Sequence, residues 1–87
     1  MTWKVYMALC ADGSLYTGIT TDVERRIEEH NVCDKKGAKY TRARRPITLV
    51  YEENLESRAE ASSREHQIKS LSRSQKMGLI GKIATAK

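Results

Sequence analysis

An arginine and a histidine stand four residues apart in a segment with helical features. Arg26 and His30 would share one face of a helix, with Cβ atoms roughly 6 Å apart. Two such side chains could contact one phosphate group together. The alternative is that Arg26 pairs with Asp22 or Glu29 on the surface while His30 is solvated, and these residues alone favour that alternative.

A glutamate lies on the core-facing side of a later helical segment. Ala61, Ile68 and Leu71 project from the same side as Glu65, so its carboxylate is expected on or beside the apolar stripe. Burying an unpaired charge is costly, so we expect a cation next to this carboxylate. That cation is either a bound metal ion or an arginine, and a structural salt bridge to Arg26 stays open.

Two tyrosines and a glycine lie in the strands of a predicted β-hairpin over residues 3–20. Tyr6 and Tyr16 are on its two arms, and for each tyrosine alone core or cross-strand packing is the first interpretation. Gly18 lies two residues after Tyr16 on the same strand face and would weaken the strand. Its presence indicates that another group approaches the backbone there.

The connection between the two arms decides whether the tyrosines can share a site. Asp12 and Gly13 supply turn chemistry, but a two-residue turn at these positions would place Tyr6 and Tyr16 on opposite faces of the sheet. We therefore predict a connection of odd length, such as a three-residue loop with Gly13 in the left-handed region.

Three capping boxes predict where the helices begin. In each box a Ser or Thr is followed three residues later by Glu or Gln, so that each side chain satisfies a backbone donor of the first turn. The pairs are Thr21 with Glu24, Ser57 with Glu60, and Ser72 with Gln75. The second and third pairs predict helices at 58–71 and 73–84.

The remaining segments complete the predicted fold. Residues 47–51 are β-rich and follow Pro46, as a third strand can, whereas residues 32–45 lack periodicity and are predicted to form a loop. The fold class is α/β of the α+β kind, a three-stranded, mostly antiparallel sheet flanked by helices in the order β-β-α-β-α-α. A chain of 87 residues makes one domain, spanning 1–87.

The order of these residues resembles the GIY-YIG nuclease superfamily. Two segments stand where the two family tripeptides would be, at the usual separation, although a lysine replaces the first glycine. They are Lys4-Val5-Tyr6 and Tyr16-Thr17-Gly18. In the segments that follow, Arg26 matches the family's catalytic arginine, His30 a frequent histidine, and Glu65 the metal-binding glutamate. The similarity covers nearly the whole chain and is closest to short, single-domain bacterial members.

The resemblance implies a metal-dependent endonuclease that hydrolyses phosphodiester bonds of nucleic acid, with DNA as the expected substrate. Glu65 would hold one Mg²⁺ or Mn²⁺, Tyr6 would act as general base or position the attacking water, and Tyr16 would hydrogen-bond beside it. Arg26 would stabilise the transition state, and His30 would assist by hydrogen bonding or proton transfer. The alternatives are a non-cleaving nucleic-acid-binding module of the same fold and, third, a protein-interaction domain.

Basic residues are concentrated in two parts of the chain, whose net charge is +5. The nucleic-acid-binding candidates are Lys35, Lys36, Lys39, Arg42, Arg44, Arg45 and Lys69. These side chains could flank a phosphate backbone. From charge alone, the better interpretation is that they solvate a loop and the outer faces of helices.

Composition also narrows the class of protein. No apolar run is long enough to cross a bilayer and no signal-peptide pattern precedes the first strand, so a cytoplasmic protein without a membrane partner is expected. Cys10 and Cys33 are too few for a disulfide framework or a CxxC-type zinc site. A monomer or weak dimer is expected.

Overall fold

The computed structural model describes residues 2–33, 35–36 and 39–85, with side chains up to residue 80. Its elements in chain order are β1 (Trp3–Leu9), β2 (Leu15–Thr20), α1 (Val23–Val32), α2 (Lys39–Arg42), β3 (Thr48–Leu55), α3 (Arg58–Lys69) and α4 (Arg73–Thr85). No helix in these described parts is long and apolar enough to cross a membrane.

The three strands form one antiparallel sheet in the order β2-β1-β3, which confirms the predicted fold class. Because successive side chains of a strand point to opposite faces, the central strand supplies two cores. Tyr6 and Ala8 pack on one face with Val23 of α1. Val5 and Met7 pack on the other face with Ile68 of α3 and with α4.

The hairpin connection has the predicted odd length. The amide of Cys10 donates to the carbonyl of Ser14 at 2.9 Å, which leaves the three residues 11–13 as the loop, and Gly13 has φ of 86°. Tyr6 lies opposite Gly18 and Ala8 lies opposite Tyr16. Tyr6 and Tyr16 therefore leave the same face of the sheet, as predicted.

Two of the three predicted helix caps are confirmed and one is wrong. Ser57 accepts from the amide of Glu60 at 3.2 Å, and Ser72 accepts from the amide of Gln75 at 3.2 Å. The cap of α1 is Asp22 rather than Thr21, and its carboxylate accepts from the amide of Arg25 at 3.0 Å. Aspartate caps at least as well as threonine, so the acidic neighbour takes the position.

Strand β3 begins one residue later than the predicted segment 47–51 and continues four residues beyond it, because residues 52–55 pair with β1. The carboxylate of Glu53 accepts from Arg64 of α3 at 3.1 Å and from the Tyr51 hydroxyl at 2.5 Å. The predicted loop at 32–45 is partly wrong, since α1 extends to Val32 and the single turn α2 forms at Lys39–Arg42. Residues 34, 37 and 38 of that segment lie outside the described residues.

Candidate active site

The hairpin places Tyr6 directly over Gly18. A Cβ atom added at Gly18 would lie 2.7 Å from the Tyr6 hydroxyl and 2.9 Å from Cζ of the same ring. Such distances are shorter than any side chain can tolerate without movement, so only glycine fits beneath the ring. The predicted close approach at Gly18 is therefore confirmed, and the group that approaches is the Tyr6 phenol.

Helix α1 brings His30 beneath the same phenol. His30 is fully buried, so the alternative of a solvated histidine is wrong. Its Nε2 atom is 2.7 Å from the Tyr6 hydroxyl, and its Nδ1 atom is 2.9 Å from Oγ1 of Thr41 on α2. Burial, followed by the positive charge of Arg26, lowers the pKa of His30 to about 4. The imidazole is therefore neutral at neutral pH.

A cluster of aromatic rings surrounds this hydrogen bond. The half-buried ring of Tyr16 has its centroid 6.3 Å from that of Tyr6 and 5.2 Å from that of His30. Its other neighbour is Tyr40 of α2, stacked at 6.0 Å. The guanidinium of Arg44 covers the Tyr40 ring, with Cζ 3.9 Å from the centroid. Tyr16 is thus held between the buried pair and α2.

Arg26 lies at the edge of the cluster, with its side chain one quarter exposed (25%). It donates to Glu29 at 3.1 Å and to the backbone carbonyl of Lys36, so the surface pairing with Glu29 proposed from the sequence is present. Arg26 is also close enough to Tyr6 to lower the pKa of that phenol. Burial and then Tyr16 act more strongly in the opposite direction, and the Tyr6 pKa is raised well above its usual value.

Glu65 of α3 has a weaker electrostatic effect on the same phenol. Burial is the main cause of the raised Tyr6 pKa, and the negative charge of Glu65 is one of the smaller causes. The side chain is 22% exposed and its cationic partner is Lys69, one helical turn later, with Nζ 3.3 Å from the carboxylate. The salt bridge to Arg26 considered from the sequence is replaced by Glu65–Lys69 and Arg26–Glu29 pairs.

The donor set limits how a metal ion could be held. Within the described residues, no three or more His, Cys, Asp or Glu side chains are grouped so that they could hold a metal ion. Glu65 is the carboxylate predicted to hold the ion, and its charge has a small effect on the Tyr6 pKa. An ion at this position would depend on one protein carboxylate, with other oxygen ligands supplied from outside the chain.

The seven basic candidates fall into two groups. The side chains that reach the surface are Lys35, Lys36, Lys39, Arg42 and Lys69. By contrast, Arg44 donates to Asp12 at 3.0 Å and to the Tyr40 carbonyl at 2.8 Å, and Arg45 donates to the His30 carbonyl at 2.6 Å. Arg44 therefore attaches the segment 39–45 to the hairpin, and Arg45 attaches it to α1. A contact of any of the seven basic residues with nucleic acid stays a prediction.

Sequence reasoning missed two residues of the site, Tyr40 and Thr41. Both lie on α2, a helix of four residues, which is too short to show a periodic pattern. The signal that was available is a tyrosine and a threonine inside an otherwise basic, polar segment. Their inward contacts depend on a long-range interaction with α1 and the hairpin that a local pattern cannot reveal.

Comparison with known proteins places this arrangement in a family. The model of the GIY-YIG catalytic domain matches residues 2–78. The UPF0213 protein DP2720 of Desulfotalea psychrophila is 58% identical over 90% of this chain and 70% of its own length. The UPF0213 protein VNG_2274C of Halobacterium salinarum is 56% identical over 87% of this chain and 96% of its own.

Two solved structures are similar as well. The solution NMR structure of the UPF0213 protein BH0048 from Bacillus halodurans is 48% identical, with a TM-score of 0.58, over 93% of this chain and 84% of that one. The solution NMR structure of EF2693 from E. faecalis is 39% identical, with a TM-score of 0.64, over 98% of this chain and 88% of that one.

Proposed function

We propose that this chain, which belongs to the GIY-YIG catalytic domain family, is a metal-dependent endonuclease domain that hydrolyses phosphodiester bonds, with DNA as its substrate. One observation carries the proposal. The Tyr6 phenol contacts His30 and Tyr16 and lies close to Arg26, with the Glu65 carboxylate near enough to affect its pKa. These groups offer a proton acceptor, a cation and a hard oxygen ligand, the three components that phosphodiester hydrolysis requires.

The oxygen donor at Glu65 suits a divalent ion such as Mg²⁺ or Mn²⁺. Magnesium sites commonly use one or two protein carboxylates and complete the shell with substrate phosphate and water. Glu65 is partly exposed, and its partner Lys69 is an exposed side chain that can turn away at little cost. When bound, the ion would act as a Lewis acid on a phosphoryl oxygen.

Arg26 and Tyr16 are the groups placed to contact the phosphate. Arg26 is partly exposed and always charged, so it stabilises negative charge that develops on the non-bridging oxygens. Tyr16 is half-buried against Tyr6 and His30, and its hydroxyl would hold the phosphate or the attacking water by hydrogen bonding.

Tyr6 and His30 act together as the base. The raised pKa keeps the Tyr6 phenol protonated, so this phenol alone is a poor base at neutral pH. The neutral His30 lies at 2.7 Å from the hydroxyl and accepts its proton as Tyr6 takes one from the attacking water. The negative charge of an entering phosphate raises the proton affinity of His30, which assists this transfer.

A non-cleaving nucleic-acid-binding module of the same fold is the second candidate. One observation favours it, because the whole Tyr6 residue is only 1% exposed. A water molecule reaches its hydroxyl only after neighbouring side chains move. In this candidate, the tyrosine–histidine pair is a packing feature and the exposed basic side chains bind the phosphate backbone.

Nicking of supercoiled plasmid in Mg²⁺ or Mn²⁺, with gel shifts in chelator, separates the two candidates. The variants Tyr6→Phe and Glu65→Gln remove a hydroxyl and a carboxylate, and Glu28→Gln removes an exposed carboxylate of α1 as the matched control. Hydrolysis predicts that nicking is lost in the first two variants and kept in the third. Gel shifts without nicking by the wild type would support the non-cleaving module.

A further inference from the structure

Thr41 is a fully buried polar residue to which the mechanism above gives no role. Its hydroxyl oxygen lies 2.9 Å from Nδ1 of His30, on the opposite side of the imidazole from Tyr6. Two hydrogen bonds therefore fix this ring from both nitrogens. The proton on a neutral imidazole occupies one nitrogen, and the partner of each nitrogen decides which one.

The direction of these hydrogen bonds follows from the proton transfer proposed above, in which Nε2 of His30 accepts the Tyr6 proton. A guanidinium group has donors and no acceptor, so Arg26, whose charge acts on the Tyr6 phenol, cannot receive the phenol proton. Nε2 of His30, which lies 2.7 Å from the Tyr6 hydroxyl, can receive it. When Nε2 of a neutral imidazole accepts, Nδ1 carries the ring proton and donates to the Thr41 hydroxyl oxygen.

A separate set of contacts holds Thr41 in place. Helix α2 is a single turn, which has little stability of its own. Arg44 links this turn to the hairpin loop, because its guanidinium donates to the carbonyl of Tyr40 in α2 at 2.8 Å and to Asp12 in the loop at 3.0 Å. The Tyr40 ring adds a stacked contact with Tyr16. The position of the Thr41 hydroxyl next to His30 therefore depends on contacts that α2 makes with the hairpin.

We propose that Thr41 is a positioning residue, which holds His30 in the tautomer with the proton on Nδ1 and keeps Nε2 free to receive the Tyr6 proton. This role rests on the proposed function, in which His30 accepts that proton. Without the Thr41 oxygen, a buried Nδ1–H group would lose this acceptor at a cost in free energy. The proton would move to Nε2, where it would point at the Tyr6 oxygen and block the transfer.

The test compares Thr41→Val with Thr41→Ser in the full chain. Valine has nearly the shape of threonine without the hydroxyl, and serine keeps the hydroxyl. Two-bond ¹H–¹⁵N correlation spectra of histidine-labelled protein at neutral pH report which nitrogen of His30 carries the proton. We expect Nδ1–H in the wild type and in Thr41→Ser, and a shift toward Nε2–H in Thr41→Val.

Cleavage supplies the second measurement. Thr41→Val should lower the single-turnover rate of plasmid nicking by up to about 10²-fold, while Kd for DNA in chelator is unchanged and Thr41→Ser stays within a few-fold of wild type. A wild-type His30 with its proton on Nε2 overturns the proposal, even where Thr41→Val fails to fold. An unchanged tautomer in a folded Thr41→Val also overturns it. Absence of nicking in the wild type refutes the nuclease function, and the spectra still decide how Thr41 acts on His30.

Discussion

The substitution Gly18→Ala tests the contact on which the whole site is built. The added Cβ would lie 2.7, 2.9 and 3.1 Å from the hydroxyl, Cζ and Cε1 atoms of Tyr6. Two of these distances are below 3.0 Å, so the ring must shift away. Tyr6 is buried and hydrogen-bonded to His30, so a shift strains the core and breaks that hydrogen bond.

The expected cost follows from these two effects. Inserting a methyl group into a well-packed core costs roughly 1 to 3 kcal/mol, and leaving buried polar groups unpaired costs about as much again. We therefore expect Gly18→Ala to lower the free energy of unfolding by roughly 2 to 6 kcal/mol. For a domain of this size, even 2 kcal/mol lowers Tm by roughly 8 to 16 °C.

The chain offers a matched control in Gly78→Ala. Gly78 is inside α4, and a Cβ added there has no heavy atom of the described residues within 4 Å, apart from its chain neighbours and the backbone of its own helix. Alanine is favoured over glycine in a helix by roughly 0.5 to 1 kcal/mol, so this variant should be more stable than wild type. Urea denaturation followed by circular dichroism measures both variants under identical conditions.

A double-mutant cycle identifies the hydroxyl as the obstacle. Tyr6→Phe removes the atom that makes the shortest contact, so Gly18→Ala should cost less in that background, with a coupling of roughly 0.5 to 3 kcal/mol. A Gly18→Ala protein as stable as wild type would refute the close packing of these two residues. An equal cost in both backgrounds would show that the hydroxyl is not the group that the methyl displaces.

Three further predictions concern charge. Glu65→Gln should change the free energy of unfolding in chelator by less than about 1 kcal/mol, because the ion pair with Lys69 is partly exposed. Metal-dependent nicking should be lost in the same variant. A large loss of stability would contradict this prediction. Neutralising Lys39 and Arg42 should weaken binding to unrelated DNA sequences equally and flatten the salt dependence of binding. If gel shifts show an unchanged slope of affinity against salt concentration, both residues are solvated surface residues that do not contact DNA. The lowered pKa of His30 means that the folded state binds fewer protons than the unfolded state between about 6.5 and about 4, so stability is lost as pH falls through that window. The loss should be about 3 kcal/mol, seen by denaturation at both pH values and absent in a His30→Gln variant.

The hairpin could be predicted in detail because its determinants are local. Alternation of apolar residues defined both strands, and Asp12-Gly13 together with the need for a shared face defined the odd connection. The ends of β3 and the cap of α1 were less accessible to this reasoning. Glu53 gives the end of β3 a polar sequence, and its partner Arg64 comes from a distant helix. Asp22 and Thr21 are both suitable N-cap residues, so the local sequence does not decide between them.

The residues of the candidate site were proposed from the sequence one by one, but the contacts between them were not. Tyr6, His30 and Arg26 were singled out from their order along the chain, whereas the burial of His30 and its contact with Thr41 were not. Whether a histidine is buried depends on the elements that pack against it, and one of these elements here is α2. A four-residue turn held by Arg44 has no pattern of its own, so long-range contacts decide its place.

The three-residue loop of the hairpin also restricts which insertions and deletions this domain can accept. Adding or removing one residue would shift the register of β2 by one and turn Tyr16 away from Tyr6 and His30. Adding two residues would keep the side chains on their faces and only lengthen the tip. Among related chains that keep both tyrosines, this loop should therefore differ in length by even numbers, unless a compensating bulge in β2 restores the register.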